Sequence, residues 1–229
     1  MSLLKEYKSI YKEKAIQISD ILKNKDICMF IYKKSDSYRV YLYDKTKIID
    51  KEENQIDLNG FIAYGRIEKE SDTPYKAYNT SYTVAIKGYG PVLYDTLLAL
   101  AGKKGLCPDR GVVSDNAKDV WEFYYTKRED EIVTRPIDDI ENPLTNTKID
   151  DGYVHEQDPL ASDFSTRNFI DYVYYFKNPS NYLSDTPKLQ KRHEDFINNE
   201  MQYDDNFYND LEVSAIDFFI KQKEMRGGL

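Results

Sequence analysis

The segment Ile86-Lys87-Gly88-Tyr89-Gly90-Pro91 carries the clearest chemical signal in the chain. A β-rich run, YNTSYTVAI, leads into it, and a helical pattern, VLYDTLLALAG, leaves it. Glycines at 88 and 90 let neighbouring backbone N–H groups converge, and the helix N-terminus adds positive potential. Such a turn can hold a pyrophosphate. It is not a Walker loop, because no Gly-Lys-Ser/Thr follows. It is not a dinucleotide fingerprint either, because Leu93 occupies the third glycine position. A strand-to-helix turn that needs glycine only for positive φ is the competing reading.

Other reactive residue types are sparse. Cys28 and Cys107 lie far apart, and His155 and His193 are the only histidines, so neither a disulfide framework nor a zinc site is expected. Arg110, in a Pro-Asp-Arg turn, is a rigid fork of donors suited to a phosphate or carboxylate. Asp109 beside it can equally pair with it and lock the loop. Lys87, Lys103 and Lys104 add positive charge around the glycine turn or serve as ordinary surface lysines. Asp95 is expected to face water, and Trp121 to sit in the core.

The elements that position these residues follow from periodicity. Residues 2–24 read as an amphipathic helix on Leu4, Tyr7, Tyr11, Ile18 and Leu22. Residues 27–32 and 38–43 read as strands joined by Ser35-Asp36-Ser37, and residues 44–56 as a charged loop. Residues 60–67 and 78–86 are further strands. Pro91 and Gly102 bracket a helix, and Leu106 opens a short link or strand. Ser114 caps a helix over about 115–126, with Ala117, Val120, Trp121 and Tyr124 on one face. A strand over 131–137 follows. Residues 138–163 are irregular, residues 169–176 form an aromatic strand or helix core, and residues 189–201 and 211–225 are helical. The predicted class is α/β: a central mixed sheet flanked by helices, with an N-terminal helix (1–26), a main domain (27–137) and an acidic, aromatic-rich, partly helical C-terminal extension (138–229).

The block GYGPVLYDTLLALAGKKG, then SDNAKDVWEFY, then EIVTRPID resembles the GNAT superfamily of acyl-CoA-dependent N-acyltransferases. More closely, it resembles a group of GNAT-like bacteriophage proteins, over about residues 60–140. The resemblance implies acetyl-CoA as cofactor and an amine as acceptor. Its pyrophosphate would meet Lys87, Gly88, Tyr89 and Gly90, with Arg110 and Ser114 nearby. A main-chain group near Val84 would orient the thioester. Two departures stand out. The family's Arg/Gln position is Ala85, and the tyrosine that protonates the departing thiolate is Trp121. Tyr124, one turn on, is the replacement by position. Glu68, with Glu70, is the positional choice for removing the amine proton. The other expectation is a catalytically degenerate GNAT-fold phage protein with a virion or assembly role.

Charge is distributed unevenly. Residues 1–136 carry a net +2 and residues 137–229 a net −10, making the −8 of the chain. An acidic extension repels nucleic acid and anionic membrane, so the expected partner is another protein or a second copy, contacted through that extension. It either wraps over a neighbour or completes the core. The 21 tyrosines fit partner contact or AT-rich coding composition. No run approaches the roughly 20 apolar residues of a membrane span. The N-terminus lacks a signal-peptide core, so a soluble protein of the bacterial host cytoplasm, or of the phage particle, is expected.

Overall fold

The structure is a computed structural model that describes residues 18–53, 55–69, 76–109, 113–137, 169–200 and 207–225. The predicted N-terminal helix lies mostly outside these; its described end is α1 (Ile18–Ile21). β1 (Ile27–Lys34) and β2 (Ser37–Asp44) pair antiparallel along their whole length. Residues 44–56, expected as a loop, include a two-stranded ribbon, β3 (Ile49–Asp50) with β4 (Gln55–Ile56). Ile48 is the reason: it is fully buried, and the charged neighbours that dominate the segment's composition hide that anchor.

β5 (Phe61–Lys69) lies antiparallel to β2, and β6 (Tyr78–Ala85) antiparallel to β5. The chain then crosses over through α2 (Gly90–Ala101) and returns as β7 (Leu106–Cys107), parallel to β6. A parallel pair requires such a crossover. α2 lies close to the sheet because Gly65 faces it: a Cβ there would stand 2.8 Å from Leu97 Cδ1. α3 (Asp115–Lys127) and β8 (Ile132–Pro136) follow.

The C-terminal region completes this architecture. β9 (Tyr172–Phe176) enters between β7 and β8, antiparallel to both. The sheet order is therefore β1-β2-β5-β6-β7-β9-β8, a seven-stranded mixed sheet with helices on both faces. After α4 (Ser180–Leu183), α5 (Thr186–Glu200) packs on β1 and α6 (Phe207–Met225) on β5 and β6. The described residues of the acidic region complete the core and the sheet. Among the described residues, no helix is long and apolar enough to cross a membrane.

Candidate functional site

The site begins where the sheet opens. β6 and β7 pair only at Tyr78–Leu106 and Asn79–Cys107. From Thr80 onward no strand among the described residues pairs with β6 on that side, because β7 is two residues long. β6 then runs into a turn with Gly88 at φ +95°, where a side chain would be strained. Tyr89 precedes α2 without a side-chain cap. Pro91 has no N–H to satisfy, and the Leu93 amide donates to the Tyr89 carbonyl at 3.2 Å. The Gly90 and Val92 amides meet no acceptor among the described residues.

The opening holds a cavity of about 100 Å³. Its walls are Thr83, Val84 and Ala85 of β6, Gly90, Leu93 and Tyr94 of α2, and Ser114, Ala117 and Val120 from the start of α3. Two helix N-termini thus converge on one space, and none of its described lining residues is acidic. That favours an anionic ligand at the mouth. A Cβ at Gly90 would meet nothing within 4 Å, so the approach to the first turn of α2 is clear. Ser114 accepts a hydrogen bond from the Ala117 amide at 3.4 Å, the predicted cap.

Val84, Gly90 and Ser114 of the sequence candidates come together at this cavity. Gly88 and Tyr89 form the adjoining turn, and Lys87 is exposed within it. Arg110 lies outside the described residues. Glu68 is elsewhere. β5 and β6 are antiparallel, so the end of β5 lies beside the start of β6, and Glu68 pairs with Asn79 while Val84 pairs with Tyr64. Four residues of strand separate the two positions, roughly 13 Å. Glu68 instead accepts hydrogen bonds from Arg66 at 2.7 Å and from Ser81.

Tyr124 also stands apart from the cavity wall. It is not among the cavity-lining residues and lies four residues beyond Val120, one helical turn or about 6 Å along the axis. Its hydroxyl donates to Asp95 Oδ1 at 2.5 Å. Arg128 donates to the same oxygen at 2.5 Å and, through its other amino group, to Glu131. Asp95, expected to face water, therefore anchors α2 to α3. The correction follows from tertiary packing, which turns its side of α2 toward Arg128. Trp121 is fully buried against Tyr94, Tyr124 and Tyr174.

Thr83 and Tyr94 were not singled out by sequence reasoning. The Tyr94 hydroxyl and Thr83 Oγ1 lie 2.8 Å apart at the cavity wall. Tyr94 follows Gly90 by one helical turn, which is the available signal, but one tyrosine among 21 does not stand out. Among the described residues, no cluster of three or more His, Cys, Asp or Glu side chains is arranged to hold a metal ion. No family model matches the chain, and neither the curated proteins nor the solved structures include a match.

Proposed function

We propose that this chain is a GNAT-type acyltransferase that binds acetyl-CoA at the β6–α2 turn and transfers the acetyl group to an amine. The observation that carries the reading is the parting of the parallel pair β6–β7, the one parallel pair among the described residues, beside a Gly-x-Gly turn. In open α/β sheets, ligands settle in the crevice outside the carboxyl ends of parallel strands. Here that crevice is bounded by two helix N-termini, one in front of Gly90 and one capped by Ser114. The pyrophosphate would take the Gly90 and Val92 amides, and the thioester would reach inward along Val84. Calorimetric titration with acetyl-CoA tests it. The wild type should bind one equivalent, and Gly90→Arg should remain folded and lose that binding. A well-folded wild type that takes up no acetyl-CoA overturns the proposal.

A second reading has its own support: a GNAT-fold protein that has lost catalysis and serves in assembly. Trp121 stands at the expected acid position, and the Tyr124 hydroxyl is engaged with Asp95. In addition, α6 exposes Val213 (60%) and Ile220 (46%) on one side, apolar residues that a protein partner would cover. Light scattering of the purified chain tests this reading: a defined oligomer with no acetyl-CoA uptake supports it, and a monomer that turns over acetyl-CoA overturns it.

A further inference from the structure

We propose that the end of the sheet opposite the glycine turn is a binding rim for single-stranded nucleic acid, built from lysines laid over tyrosines. The rim lies apart from the cavity and stands whether or not acetyl-CoA binds there. β1 and β5 end here, β2 and β6 begin here, and the chain leaves α2 here through a short 3₁₀ helix, Gly102–Lys104. Lys103 and Lys104 therefore lie a whole helix away from Gly90, roughly 18 Å along α2, and do not serve the glycine turn.

Strand register sets the order of side chains across the rim. Lys33 of β1 pairs with Tyr38 of β2, and Tyr38 pairs with Ile67 of β5. Lys69, two residues past Ile67 on the same face, pairs with Tyr78 of β6. Cross-strand partners share a face, so Lys33, Tyr38, Lys69 and Tyr78 form one alternating row, which Lys104 continues beyond β6. Lys33 Nζ stands 5.5 Å from the centre of the Tyr38 ring, and Lys104 Nζ 5.3 Å from that of Tyr78. The two rings meet edge-to-face at 5.6 Å over β5. Tyr78 is buried and Tyr38 half-buried, so the rings are a floor under two exposed ammonium groups, held by cation–π attraction.

Charge separates this rim from the rest of the chain. Lys33, Lys34, Lys76, Lys103 and Lys104 are exposed and Lys69 is half-buried, and none of the six forms an ion pair among the described residues. At this end of β1, β2, β5 and β6 the acidic side chains among the described residues are Asp36, at the hairpin tip, and Glu68, which Arg66 and Ser81 hold. The acidic C-terminal region packs α5 and α6 on the other face, over Tyr41 and Tyr64. A chain of net −8 thus carries a positive row along one edge. Lysine is a point charge suited to phosphate oxygens, and aromatic rings between basic residues suit unpaired bases. The row spans four strand spacings, β1 to β7, roughly 19 Å, enough for several consecutive phosphates. On binding, Lys33 moves to a phosphate and a base takes its place on the Tyr38 ring.

The experiment is fluorescence anisotropy of the full chain with a labelled oligothymidylate of about 15 nucleotides, at salt concentrations from about 50 mM upward. The wild type should bind, and more weakly as salt rises. Lys33→Gln/Lys69→Gln/Lys104→Gln should keep the melting temperature and bind at least about 10-fold more weakly. Its salt slope should be shallower by about 2, the loss of three phosphate contacts at about 0.7 each. Lys25→Gln/Lys45→Gln/Lys51→Gln makes the same charge change at the other end of the sheet and should bind as the wild type does. An abasic strand of equal length should bind at least about 5-fold more weakly than the oligothymidylate. Equal weakening in the two triple variants overturns the site. An abasic strand, a duplex or a polyglutamate chain that binds as tightly as the oligothymidylate overturns the assignment to single-stranded nucleic acid. A folded wild type that leaves the oligothymidylate free at about 50 mM salt overturns the proposal, whatever its affinity for acetyl-CoA.

Discussion

The two faces of the sheet bury the same strands with different residues. Under α2 and α3 the core is largely aliphatic: Val40, Leu42, Ala63 and Ile67 meet Leu93, Leu97 and Leu98. Under α5 and α6 it is aromatic: Tyr41, Tyr43, Phe61 and Tyr64 meet Phe196, Phe207 and Phe218. Alternation along β2 sends Val40 and Leu42 one way and Tyr41 and Tyr43 the other. The aliphatic face keeps an opening where β7 stops. The aromatic face is closed by helices from the acidic C-terminal region. Closure is thus a matter of stability, and the open face is the one with a cavity. The comparison also explains much of the tyrosine content. Tyr41, Tyr43, Tyr64, Tyr78, Tyr94, Tyr124 and Tyr174 are all buried, so they build the core rather than a contact surface.

The largest effect expected from this division belongs to the closed face. Phe218 of α6 is 3% exposed and stacks on Phe61 with centroids 5.5 Å apart. Phe218→Ala removes a buried ring and leaves a cavity, at a cost of about 3–5 kcal/mol. Urea denaturation should show the loss in its midpoint, while the proposed binding of acetyl-CoA should be equal in the folded variant and the wild type. Affinity falling together with stability would erase the distinction between the faces.

A similar but pH-dependent effect comes from His193, on the same face. His193 of α5 is 3% exposed, stacks on Phe30, and lies 2.6 Å from the Tyr43 hydroxyl through Nδ1. Its Nε2 is buried and meets no hydrogen-bond partner among the described residues. Burial pushes its pKa down from 6.5 to about 4. The folded state therefore resists a proton that the unfolded chain accepts. This contribution to stability is intact above pH 6.5 and is lost as the pH falls toward 4, by about 3 kcal/mol in total. Cys28 of β1 and Tyr208 of α6 are the other titratable groups near the Tyr43 hydroxyl, and burial raises the Cys28 thiol to about 11, so neither Cys28 nor Tyr43 titrates in this window. Urea midpoints of wild type and His193→Gln, followed from pH 7.5 to 4.5, should diverge in slope. Parallel curves would mean that the imidazole is not held neutral by the closed face.

The division was partly legible in the sequence. β2 announced itself by its alternation, β1 by a compact apolar run, β5 and β6 by β-rich runs between polar breaks, and α2 by Pro91 and Gly102. The glycine turn was legible as a strand-to-helix turn because its backbone needs are local. β9 was harder to read. FIDYVYYF has no alternation, since Val173, Tyr174 and Phe176 are all buried, and a strand covered on both faces reads like a helix core. Its place between β7 and β8 depends on pairing across a long stretch of sequence, which periodicity does not encode. The partners of Asp95 were hidden for the same reason: Arg128 lies 33 residues away and Tyr124 lies 29 away. Arg192 is a third case. It donates to the carbonyls of Leu22, Asn24 and Ile27, fastening α5 to the start of β1. Nothing in its sequence neighbourhood marks it.

The smallest stability effect, and the finest test of the open face, falls on Ser114. It caps α3 and lines the cavity, so stability and binding meet in one side chain. Its bond to the Ala117 amide is long, 3.4 Å, which puts Ser114→Ala at the low end of cap losses, about 0.5–1 kcal/mol. Ser114→Asp separates the two roles. Aspartate caps a helix as well as serine does and is favoured beside the positive helix end, so the melting temperature should hold. The same carboxylate at the cavity mouth repels an anionic ligand, so the acetyl-CoA dissociation constant should rise. If Ser114→Asp and the wild type bind acetyl-CoA equally, the phosphates do not pass the start of α3, and the ligand must enter from the β6 side alone. If Ser114→Ala weakens binding more than Ser114→Asp, the hydroxyl touches the ligand through its cap geometry rather than through charge, and the electrostatic account of the two converging helix ends fails.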